Sequence, residues 1–100
     1  MIRHVVFFKF KPEASAEERK SALDALRDLP RKIHVIREFE VGDNIIPSPR
    51  AWDAVLLARY DNPDTLQEYS LHQEHVAVAG KLKAICAEIG SVDYEEPPRT

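Results

Sequence analysis

The succession of hydrophobic patterns along these 100 residues predicts an α+β fold in the order βαββαβ. The implied architecture is a four-stranded antiparallel sheet with both helices on one face. Three observations carry this. An apolar run from Ile2 to Phe10 opens the chain, helix-start signatures follow at Ser15 and Asn62, and strand-type segments separate and close the two helical stretches.

Ile2 to Phe10 reads as a strand because Ile, Val and Phe dominate it. Ile2, His4, Val6, Phe8 and Phe10 share one face; Arg3, Val5, Phe7 and Lys9 share the other. Both faces are apolar at the centre, which predicts a central strand covered twice. Pro12 ends it. Ser15-Ala16-Glu17-Glu18 fits a capping box, and Ala22, Leu23, Ala25, Leu26 and Leu29 form the apolar stripe of a helix reaching Pro30. His34 to Gly42 is the second strand, its charged side partly exposed. Residues 42–51, with Gly42, Asn44, Pro47 and Pro49, form a loop.

Trp52 to Tyr60 is the third strand. Asn62-Pro63 starts the second helix, asparagine as N-cap and proline at the first helical position. Its pattern passes Tyr69 and resumes from Val76 to Ile89, interrupted near Gly80. A helix unbroken from Pro63 to Ile89 is too long for this domain, so a break is expected near Leu71 to Gln73. Gly90 ends the second stretch and Ser91 to Glu95 is a short fourth strand. The expected division is one domain over 1–96 and a tail over 97–100.

Composition narrows the function classes. With 44% hydrophobic and 31% charged residues the chain is a globular domain rather than a disordered one. A net charge of −3 without a basic stripe argues against a nucleic-acid partner. The lone Cys86 excludes an intramolecular disulfide and a multi-cysteine metal cage, and reads as a small buried thiol in a helical pattern beside Ile85 and Ile89. Val5 to Phe8 is too short for a signal peptide or a membrane span. The expectation is a reduced, cytoplasmic protein with no membrane partner. Helices on one side leave the other sheet face apolar and uncovered, which predicts a two-fold homodimer through that face.

Of the 4 His and 3 Tyr, three fall in Tyr69-Ser70-Leu71-His72-Gln73-Glu74-His75. On an unbroken helix Tyr69 and His75 stand about 120° apart, so they converge only if the helix bends. A metal shared by His72 and His75 lacks a third ligand nearby and the usual spacing of four, so no metal is expected. The small residues Ala22, Ala25, Ala77 and Ala79 point to space beside the helices.

His4-Val5-Val6-Phe7-Phe8-Lys9-Phe10, Trp52-Asp53 and Tyr69-x-x-His72-x-x-His75-Val76 together resemble the stress-responsive A/B barrel (Dabb) family. The resemblance spans His4 to Tyr94 and implies a ferredoxin-like monomer that dimerises into an α+β barrel. Plant members act as cofactor-free polyketide cyclases, and their catalytic residues carry over to His4, Tyr69 and His75. Gln73 stands where many members have proline. What the resemblance implies is a small keto or aromatic ligand, with His72, Val6, Phe8 and Leu26 as its neighbours and no cofactor. His75 is the expected general base, Tyr69 the hydrogen-bond donor to a carbonyl oxygen, and His4 the orienting group, for aldol-type closure or enolisation. The alternatives are a non-catalytic structural or stress-related dimer, and a haem or cofactor-free monooxygenase-type barrel with His75 or His72 as axial ligand.

Overall fold

A computed structural model describes residues 1–98. The expected tail over 97–100 lies partly outside the described residues. The elements run β1 (Ile2–Phe10), α1 (Ala16–Arg27), α2 (Leu29–Lys32), β2 (Glu38–Asp43), β3 (Ala54–Tyr60), α3 (Pro63–Leu71), α4 (Gln73–Ile85) and β4 (Cys86–Glu95). The four strands form one antiparallel sheet in the order β2-β3-β1-β4. This is the ferredoxin-like α+β arrangement. β1 is paired along both edges, as its two apolar faces require.

Local signals fix the helix starts. The Ser15 hydroxyl accepts from the Glu18 N–H while the Glu18 carboxylate accepts from the Ser15 N–H, at 3.0 and 2.9 Å. Asn62 and Thr65 make the same reciprocal pair at the start of α3, with Pro63 in the first turn. The core sits between helices and sheet: Val6, Phe8 and Phe10 of β1 and Ala54, Leu56, Ala58 and Tyr60 of β3 meet Leu23, Leu26 and Leu29.

Several expectations are corrected. Pro30 does not end the helical region; it occupies the first turn of α2, where its missing N–H costs no hydrogen bond. β2 starts at Glu38 rather than His34, because α2 and a turn take up the intervening chain while Ile33 and Val35 fill the core. Cys86 to Ile89 is strand, not helix: β4 pairs with β1 from Ile2↔Glu95 to Phe10↔Cys86, and that ladder overrides the local helical pattern. Cys86 is buried as expected. Gly80 does not interrupt α4; it faces open space.

The other sheet face is free of helices. Leu57, Val5 and Val92 stand in register across β3, β1 and β4, flanked by Phe7 and Val55. Leu57 and Val92 are 39% and 54% exposed, which leaves an apolar stripe facing outward.

Candidate functional site

The helical stretch after β3 breaks at one residue. His72 has φ −63° and ψ 134°, so it ends α3 and caps α4 at once. Its Nδ1 accepts from the Glu74 N–H at 3.1 Å, satisfying one of the orphan donors of the new helix. The break falls inside the expected window, and Gln73 achieves without proline what capping by His72 makes possible. It also swings His75 back over Tyr69, with ring centroids 4.5 Å apart. His75 Nδ1 lies 2.9 Å from the Ser70 carbonyl oxygen. A carbonyl only accepts, so Nδ1 carries the proton and Nε2 is the nitrogen left for chemistry.

His4 approaches from the helix-covered face of β1, 6.2 Å from Tyr69 between centroids. Antiparallel pairing sets Asp93 of β4 opposite His4, and the His4 Nδ1 hydrogen-bonds the Asp93 carboxylate. Tyr60, at the end of β3, completes an aromatic group: its ring lies 5.0 Å from Tyr69 and 6.1 Å from His4. The Tyr60 hydroxyl is buried and has no hydrogen-bond partner among the described residues. Neither Asp93 nor Tyr60 was singled out by sequence reasoning. The usable signal was strand register, since both sit across from β1 at its His4 end.

These surroundings set the proton affinities. Burial pushes the Tyr69 hydroxyl up, so it stays protonated and able to donate. Burial raises Tyr60 as well, with Tyr69 beside it adding to the shift. Burial lowers the His75 imidazole; the Ser70 carbonyl opposes this, and His4 and Lys83 lower it further. His75 is therefore neutral near pH 7 and carries a free basic nitrogen.

His4, Val6, Phe8, Leu26, Tyr69 and His75 all border one cavity of about 120 Å³ between helices and sheet. His72 does not; its ring is spent on the α4 cap, beside the site rather than in it. A larger groove of about 700 Å³ lies between α1 and the 44–53 loop. It is open and its cations are already engaged, Lys20 and Arg27 by Asp24 and Arg19 by backbone carbonyls. The smaller cavity is the one that brings His4, Tyr69 and His75 together.

With that geometry in place, comparison with known proteins decides the lineage: residues 2–96 match the model of the stress responsive A/B barrel domain. The chain belongs to this family. A stress-response A/B barrel domain-containing protein of Arabidopsis thaliana is 30% identical over 95 residues, 94% of this chain, although the chain spans only 36% of that relative. An uncharacterized protein of Streptomyces coelicolor is 33% identical over 79 residues, 77% of this chain and 81% of its own length. Among solved structures, a dimeric ferredoxin-like protein of unknown function from Bacteroides fragilis matches this A/B barrel domain with a TM-score of 0.82, 35% identity and 95% coverage of both chains. A hydroxynitrile lyase from Passiflora edulis matches with a TM-score of 0.88 at 14% identity, covering 99% of this chain and 95% of its own; it shares the fold alone.

Proposed function

We propose that this A/B barrel domain enolises a small keto compound without a cofactor. The observation that carries the reading is the close approach of the His75 and Tyr69 rings at the cavity, 4.5 Å between centroids, with His75 Nδ1 occupied by a backbone carbonyl. His75 Nε2 removes a proton from the carbon next to the carbonyl. The released C–H pair forms the C=C bond while the carbonyl π pair moves to oxygen, where the Tyr69 hydroxyl donates a hydrogen bond to the growing charge. His4, its Nδ1 held by Asp93, presents the other ring nitrogen to a second polar group of the substrate. Aldol-type ring closure is the same step followed by attack of the enolate on a second carbonyl.

The test is deuterium exchange at the carbon beside the carbonyl of a short ketone such as 2-pentanone, followed by proton NMR in D₂O. The wild-type protein accelerates exchange, and His75→Ala loses on the order of 10²-fold or more of that rate. Equal exchange by both proteins sinks the assignment.

The size of the cavity favours a second reading. About 120 Å³ is below the roughly 300 Å³ at which small-molecule sites usually begin, which weighs against a guest as large as haem. A non-catalytic, stress-related dimer needs no larger chamber. In either reading the assembly is a cytoplasmic homodimer through the helix-free sheet face. Support comes from the outward Leu57–Val5–Val92 stripe and from relatives described as dimeric. Ile45 and Ile46, 87% and 72% exposed, extend that face around the groove beside Phe7 and Trp52.

A further inference from the structure

Lys83 borders the same cavity as His4, Tyr69 and His75, and enolisation by those three groups gives it no task. It sits in the last turn of α4, where His75, Val78, Ala79, Leu82 and Lys83 make one stripe along the cavity. At about 1.5 Å per residue it lies about 12 Å along the helix from His75. Helical side chains lean toward the N-terminus, a direction that favours reach of its four-carbon stem back along the stripe.

The electrical setting is one-sided. The chain carries a net charge of −3, yet no Asp or Glu lines the cavity. Lys20, Arg27, Arg31, Lys32, Arg37 and Arg59 are each paired with a carboxylate. Lys83 makes no hydrogen bond or ion pair among the described residues. Asp93, opposite His4 in register, is held by His4. Apart from His4, Tyr69, His75 and Lys83, the lining is aliphatic or aromatic, so the chamber is apolar with one unpaired cation at an exposed rim.

We propose that Lys83 makes the cavity selective for short carboxylates, its ammonium holding the carboxylate while the keto carbon of the same molecule meets His75 and Tyr69. This rests on the keto-compound reading and narrows the substrate class to short oxo-carboxylic acids. The scale agrees. A dry cavity of about 150 Å³ takes up benzene, so about six non-hydrogen atoms fit inside here and the charged end stays at the rim. Anchoring a remote charged group spends binding energy on orienting the reacting carbon. Lys83 also complements the C-terminal end of the α4 dipole, a purely structural role that predicts no ligand preference.

Pentanoate and pentanamide separate these roles. Each is titrated into the full-length wild-type protein and into Lys83→Met, which keeps the stem, and binding is read from the amide resonances of cavity residues. The expected result is that wild type binds pentanoate about two- to fivefold more tightly than pentanamide, and that Lys83→Met binds the two alike. Equal wild-type affinities, or a preference that survives Lys83→Met, overturn the role of Lys83 and leave the cavity reading standing. If neither compound shifts a cavity resonance, the role of Lys83 is overturned as well, and the keto-compound reading stands or falls by the deuterium exchange of 2-pentanone.

Discussion

The rings of Tyr69 and His75 meet with centroids 4.5 Å apart and planes tilted by 48°, although six residues of straight helix would set them about 120° apart around the axis. The extended backbone of His72 resolves the conflict by ending one helix and opening the next. The site therefore depends on a single non-helical residue, and changes around it are informative.

Gln73→Pro is expected to stabilise the fold. Gln73 is the first residue of α4, where the missing proline N–H costs nothing, and His72 already has the extended ψ that a following proline demands. The gain is about 0.4–1 kcal/mol through the unfolded chain, seen as a rise of roughly 2–8 °C in melting temperature. His72→Ala moves the other way, losing an N-cap worth about 1 kcal/mol. A fall in melting temperature for Gln73→Pro contradicts the geometry assigned to the break.

His75 sets a pH dependence. Burial holds its imidazole below the ordinary histidine value, so the unfolded chain binds this proton more readily than the folded one. Its contribution to stability is full above about pH 6.5 and is lost as pH falls through the lowered folded value. Melting temperatures measured between pH 7 and pH 5 should fall more for wild type than for His75→Gln. Parallel curves would show that His75 titrates as it does in water.

Much of the fold was legible because its signals are local. The Ser15–Glu18 and Asn62–Thr65 caps and the two apolar faces of Ile2–Phe10 are written in neighbouring residues. What escaped is set by partners distant in sequence. Cys86 to Ile89 looks helical until it meets the full length of β1, and α2 exists because Leu29 and Ile33 fill the core. The site divides the same way. Its histidines and Tyr69 stand out by spacing and resemblance, whereas Asp93 and Tyr60 enter through strand register alone. His72 stood out by spacing too, but a backbone cap claimed its ring.

The helix-free face offers a direct test of assembly. Leu57→Asp or Val92→Asp places a charge in the outward stripe, and two-fold symmetry places it twice. Each buried aliphatic side chain is worth about 1.5–3 kcal/mol, so one substitution should raise the dimer dissociation constant by at least about tenfold. Ile45→Asp probes the loop beyond the stripe in the same way. Sedimentation equilibrium reads the mass, and circular dichroism checks that the monomer stays folded. A dimer unaffected by Leu57→Asp and Val92→Asp would place the contact elsewhere.

Glu96 ties the end of the sheet together. Arg3 and Arg59 stand opposite each other in register, and like charges so placed repel; the Glu96 carboxylate accepts from both. Hydrogen bonding by Arg59, followed by that of Arg3, lowers the Glu96 carboxyl to about 2. Because the folded value lies below the unfolded one, the stabilisation is present above the ordinary glutamate range and is lost as pH falls toward 2. Carbon-13 NMR of the side-chain carboxyl should place the Glu96 midpoint near 2 in wild type and move it upward in Arg59→Met, with a smaller rise in Arg3→Met. An ordinary glutamate midpoint in the wild-type protein would dissolve the clamp, and with it the reason why two arginines face each other across β1 and β3.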